Sequence, residues 1–152
     1  MKFWMIAAAG LLAVPSTALA CSCLYTEDAQ ELRSLAREVV PNAVALVEAE
    51  TILTYQESSK AGDRMRVVRT LAGSAPAEFR VERGAFPSSA SCDQLYEKGE
   101  KALLILYAPS QAAAGEPQFR ISGLCTAGLL QQAAYRDEVI RLMRAKYPAE
   151  RG

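Results

Sequence analysis

Apolar and polar positions along the chain sort into one unbroken apolar run, two stretches with helical spacing and five with strand-like patterning. The unbroken run is Phe3 to Val14, preceded by Lys2 and ended by Pro15, Ser16 and Thr17. At about a dozen residues it is short of the roughly 20 needed to span a bilayer. Ala18-Leu19-Ala20 then supplies the small-residue pattern at which export signals are cut. Residues 1–20 therefore read as a cleavable signal peptide, with Cys21 as the first mature residue. A lipoprotein signal also places a cysteine after the cut, but here the leucine stands one position too close to it.

The first helical stretch opens at Thr26, read as an N-cap with Glu27 and Asp28 in the first turn. Leu32, Leu35, Ala36 and Val39 recur at helical spacing, and Pro41 stops the pattern. Asn42 to Thr51, rich in small and β-branched residues, is the first strand. The polar turn Gln56 to Asp63 leads to Arg64–Leu71, where Met65 and Val67 alternate with Arg64 and Arg66. After Gly73-Ser74-Ala75-Pro76, Phe79 and Val81 alternate with Arg80 and Glu82 as a third strand. Gly84 to Ser91 reads as a loop. Ala102 to Tyr107 (ALLILY) is continuously apolar, the pattern of a central strand buried on both faces. Pro109 to Pro117 reads as a mobile loop, and Phe119 and Ile121 mark a fifth strand running to Cys125. Gly128 to Tyr147 is the second helix, with Leu129, Ala133, Ile140, Met143 and Tyr147 on one face and Pro148 at its end.

Five short strands joined by hairpin-like turns predict a mainly β domain with flanking helices. The expected architecture is a five-stranded Greek-key barrel of the OB type, with a short N-terminal helix and a C-terminal helix. A ferredoxin-like sandwich would need a helix between the first two strands, and Gln56–Asp63 is too short and polar to form one. Residues 21–152 are expected to form this single domain, long enough for its own core.

Composition narrows the chemistry. The 17 basic residues balance the 17 acidic ones, so the charge gives no pull toward nucleic acid or anionic membranes. The complete lack of histidine removes Ser-His-Asp and Cys-His nucleophiles and every histidine-containing zinc site. No catalytic residues are assigned, no cofactor is called for, and the chain is read as a non-enzyme. No second apolar segment is long enough to span a membrane. The mature protein is expected outside the cytoplasm, periplasmic or secreted, where disulfides persist.

The four cysteines, Cys21, Cys23, Cys92 and Cys125, allow three pairings. Joining Cys21 to Cys23 is disfavoured, because two extended residues separate their Cα atoms by about 6.6–7 Å, the upper edge of disulfide reach. Both remaining pairings tie the mature N-terminus to the segments around Cys92 and Cys125. A four-thiolate zinc site is the rival chemistry, yet C-x-C lacks the usual structural-zinc spacing. A C-x-C metal carrier is a further alternative.

Cys21-Ser22-Cys23 at the mature N-terminus, Ser91-Cys92 ahead of Leu95-Tyr96-Glu97-Lys98-Gly99, the strand Ala102–Tyr107 and Ile121-Ser122-Gly123-Leu124-Cys125 together carry a resemblance. The mature chain resembles the N-terminal, netrin-like (NTR) OB-fold domain of the tissue inhibitors of metalloproteinases, in its single-domain bacterial form. The resemblance implies the pairs Cys21–Cys92 and Cys23–Cys125 and an inhibitory edge made of Cys21, Ser22, Cys23 and Leu24. In such an edge the α-amine and carbonyl oxygen of Cys21 chelate the zinc of a target protease, the only metal contact implied, while Ser22 enters its specificity pocket. The animal inhibitors have many more cysteines and a second subdomain. They continue after C-x-C with a small residue and proline, where this chain has Leu24-Tyr25. The implied partner is a zinc metalloprotease; another extracytoplasmic protein, bound by a non-inhibitory module on the same fold, is the alternative.

Overall fold

The computed structural model describes residues 23, 25–58, 62–83, 92–109 and 115–148. The proposed signal peptide and the loop 84–91 lie outside them, as does most of the loop between Pro109 and Pro117. Helix α1 (Ala29–Val39) runs through a 3₁₀ turn (Val40–Asn42) into β1 (Ala43–Leu53). Strands β2 (Arg64–Gly73), β3 (Glu78–Val81), β4 (Lys101–Tyr107) and β5 (Gln118–Ile121) follow, then α2 (Leu124–Leu130) and α3 (Ala133–Lys146).

The strands close into a barrel in the order β1-β2-β3-β5-β4. All neighbours are antiparallel except β3 and β5, which pair in parallel through Arg80 with Gln118 and Val81 with Phe119. This is the five-stranded Greek-key barrel expected from the strand count. The strand predicted to be buried on both faces is so, with Leu104, Ile105 and Leu106 buried in succession.

Alternation along β1 and β4 divides the apolar residues between two cores. Ala45, Val47 and Ala49 of β1 point into the barrel with Met65, Phe79, Val81, Leu104 and Leu106. The small β1 side chains leave room for the larger ones opposite, and Phe79 meets Phe119 edge to face at 5.6 Å. Leu46 and Ile105 point the other way and are roofed by Leu32 and Ala36 of α1, Leu130 of α2, and Tyr135, Val139 and Met143 of α3.

Local chemistry differs from the sequence expectation in three places. The N-cap of α1 is Asp28, not Thr26: its Oδ1 accepts the N–H groups of Gln30 (2.9 Å) and Glu31 (2.8 Å). Thr26 supports it from outside, accepting the Asp28 N–H and donating its hydroxyl to Glu31 at 2.6 Å. The C-terminal region is two helices instead of one. Gln132 is extended, and with neither glycine nor proline at the break the apolar pattern runs straight through it. The break lets Leu130 and Tyr135, both fully buried, face the same core. The fifth strand stops at Ile121, because Gly123 starts α2 and carries Cys125 into a helix.

Two glycines are required by close approach. Gly62 (φ +94°) lies against β3, where a Cβ would stand 2.1 Å from the Val81 carbonyl oxygen. Gly73 (φ +74°) approaches β1, where a Cβ would be 2.2 Å from the Val44 oxygen.

Candidate functional site

Three of the four cysteines lie among the described residues, and the fold gathers them around the start of α2. Cys23 is bonded to Cys125, with 5.2 Å between their Cα atoms. Cys125 is the second residue of α2. The segment from Cys92 docks on the same place: its carbonyl accepts the N–H of Leu124 at 3.0 Å, and a Cβ on Gly123 would come within 3.2 Å of that oxygen. Cys92 itself takes a left-handed conformation, φ 61°. No described cysteine is free. Cys21, Ser22 and Leu24, the rest of the expected edge, lie outside the described residues, so the pairing Cys21–Cys92 is not addressed by them.

Tyr25 extends this region. Its side chain is 76 % exposed, yet the hydroxyl end of its ring lies over α2, 3.3 Å from where a Cβ on Gly128 would be. Its backbone is bracketed by the Cys23–Cys125 bond on one side and the Asp28 cap on the other. The groove beside it has a volume of about 410 Å³ and runs from Cys23 past Gln94 to Gln131. This is a solvent-facing edge suited to contact. Among the described residues no cluster of three or more histidine, cysteine, aspartate or glutamate side chains could hold a metal ion. None of the described helices is long and apolar enough to cross a membrane.

A second constellation, missed by sequence reasoning, closes the other side of the Cys92 segment. Asp63, just before β2, and Arg83, just after β3, form an ion pair with both side chains 3 % exposed. Arg83 Nε donates to Asp63 Oδ2 at 2.9 Å, while Asp63 Oδ1 accepts the Tyr55 N–H at 2.6 Å. The Arg83 guanidinium also sits over the Tyr96 ring, 5.6 Å from its centroid. Burial pushes the Tyr96 hydroxyl well above the usual phenol range, with Arg83 opposing the shift. One arginine thus joins the β1–β2 turn, the end of β3 and the segment between Cys92 and β4. In the sequence Arg83 looks like any solvated charge after a strand. Only Gly62-Asp63 hinted at a close approach.

No protein-family model, no curated protein and no solved structure matches the chain. The disulfide, among the described residues, accords with a compartment outside the cytoplasm.

Proposed function

We propose that this is an exported, disulfide-braced OB-fold protein that inhibits a zinc protease through the edge beginning at Cys21. The observation that supports it best is the Cys23–Cys125 bond, which ties the chain two residues after the proposed mature N-terminus to α2. With Cys21 paired to Cys92, whose carbonyl is bonded to the same helix start, the whole edge would be held before any partner arrives. A preformed edge loses little ordering entropy on binding.

The chemistry of such an edge is simple. A catalytic zinc keeps one coordination position for water. The neutral α-amine of a free Cys21 and its own carbonyl oxygen form a five-membered chelate that would displace that water. An α-amine titrates near 7.7–8.0, so binding would release a proton at neutral pH and weaken as the solution is acidified. Cys21 contributes backbone atoms here, and Ser22 presents a side chain small enough for a pocket. The zinc belongs to the target alone. A C-x-C metal carrier is disfavoured, because it would need Cys23 as a thiolate and Cys23 is joined to Cys125.

The second reading is a binding module on the same barrel that inhibits nothing. Tyr25 favours it: an exposed aromatic pinned at both flanks is a good protein contact whether or not a zinc lies nearby.

The test begins with the intact mass of the exported protein, which should show cleavage after Ala20 and no free thiol. A panel of zinc proteases is then assayed with the native protein, with one alanine added before Cys21, and with Ser22→Arg. The added alanine moves the amine by about 3.8 Å, far outside metal-bond tolerance. Both variants should keep the thermal midpoint and lose inhibition. Inhibition that survives the added alanine would sink chelation, and an inactive native protein across the panel would leave the binding module.

A further inference from the structure

The cysteines gathered at the start of α2 differ in their surroundings. Cys23 and Cys125, bonded to each other, are both half-buried, whereas Cys92 is exposed. Cys92 lies outside that pair and is itself disulfide-bonded. On the function proposed above, on which this inference rests, its partner is Cys21. Cys92 also holds a left-handed backbone, φ 61°, a conformation that costs energy at any residue with a side chain. Thiol–disulfide exchange begins with a thiolate reaching one sulfur of the bond, so access decides which bridge opens first.

The two ends of the Cys92 bridge are held unequally. The Cys92 segment stays in place without the bridge: its carbonyl accepts the Leu124 N–H at 3.0 Å, and buried Tyr96 lies under the Arg83 guanidinium. The chain on the other side is anchored two positions further on, where Cys23 is bonded to Cys125. Opening the Cys92 bridge therefore frees the chain ahead of Cys23 and leaves the barrel, the helices and the second bridge as they are. Opening Cys23–Cys125 instead would release everything up to the Asp28 cap.

We propose that the Cys92 bridge is a redox switch: a dithiol opens it ahead of Cys23–Cys125 and releases the N-terminal edge, and reoxidation restores it. One thiolate of the dithiol attacks the Cys92 sulfur. The bond to Cys21 breaks, and its electron pair leaves on the Cys21 sulfur, which takes up a proton. The second thiol of the dithiol then attacks the mixed disulfide and expels the Cys92 thiolate. Two electrons and two protons pass to the cysteine pair, and the dithiol becomes a disulfide. Cys21 suits the leaving role, because the α-ammonium of a mature N-terminus lowers its thiol pKa. A thiol that stays within reach of Cys92, tethered through Cys23, closes again once the reductant is gone.

The experiment treats the exported protein with limiting dithiothreitol, traps thiols by alkylation at intervals and maps them by mass. Cys21 and Cys92 should be labelled first, at least about tenfold faster than Cys23 and Cys125. The half-reduced form should keep its near-ultraviolet circular dichroism, lose its N-terminal residues up to Cys23 to an aminopeptidase faster than the oxidised form, and return to it in air. Cys21→Ser with Cys92→Ser, which is permanently open, should match the half-reduced form in both spectrum and trimming. Equal labelling of the two pairs, earlier labelling of Cys23 and Cys125, unchanged trimming, or loss of the folded spectrum on the first reduction would each overturn the switch. None of these readouts uses a protease target. A protein that inhibits nothing in its oxidised form would end the inhibitor reading, while the order of opening would still decide the switch.

Discussion

The two regions that hold the Cys92 segment use opposite means. At the start of α2 a covalent bond secures a stretch with little burial: Cys23 is half-exposed and Tyr25 almost wholly exposed. At the barrel mouth Asp63, Arg83 and Tyr96 secure their stretch without a covalent link, through an ion pair whose side chains are both 3 % exposed and the contact of Arg83 with the Tyr96 ring. A disulfide acts largely on the unfolded chain, so it can fix a surface edge that has no core beneath it. A buried ion pair acts in the folded state, where each partner is tolerable only while the other remains. The first region can therefore stay open to a partner, and the second cannot.

Losing the covalent brace is the largest change expected. Cys23→Ser with Cys125→Ser opens a loop spanning 102 positions. The chain-entropy model gives about 4–5 kcal/mol for a loop of that size as an upper figure. Urea denaturation should show the loss, while hydrogen exchange should quicken at the start of α1 and in α2 and leave β1 and β4 protected. Loosening of the barrel strands first would contradict the division drawn here.

Breaking the ion pair comes next. Arg83→Met strands a buried carboxylate and should cost about 3–5 kcal/mol. Its exchange signature should be the reverse, with residues 54–58 and 92–97 opening and α2 unaffected. Adding Asp63→Leu to it should recover part of the loss, because the orphaned charge is gone.

Gly62→Ala sharpens the same contrast without touching charge. The left-handed backbone and the 2.1 Å approach to the Val81 oxygen leave no place for a methyl group. A cost of about 1–3 kcal/mol is expected, again by urea denaturation, with the disulfide edge unchanged.

The smallest effect lies in neither region. Glu138 of α3 accepts both Arg141 Nε and Nη2 at 2.8 Å, with Arg37 nearby at 3.5 Å. Chiefly through the Arg141 bonds, its carboxyl is held down at about 2, against an ordinary value of 4.5. A depressed carboxyl contributes stability above the unfolded value, and that contribution disappears as pH falls from about 4.5 toward 2. Arg141 is 61 % exposed, so solvent screens the pair and the contribution is small. Glu138→Gln should flatten this part of the pH–stability curve slightly, and added salt should do the same to the native protein.

Periodicity along the chain determined five strands, the N-terminal helix and the doubly buried β4, because alternation and helical spacing are local consequences of backbone geometry. Their number and short connections also pointed to a closed Greek-key barrel. The cysteines narrowed the disulfide pattern without choosing it, since distance along the chain does not encode distance in space. Tertiary structure decided the remaining particulars. It put Cys125 in a helix beside Cys23, broke the C-terminal helix so that Leu130 and Tyr135 could share a core, and drew Asp63 and Arg83 together out of solvent. Each of these depends on which faces meet once the barrel closes. An arginine destined for burial has the same local sequence signature as one that remains in water.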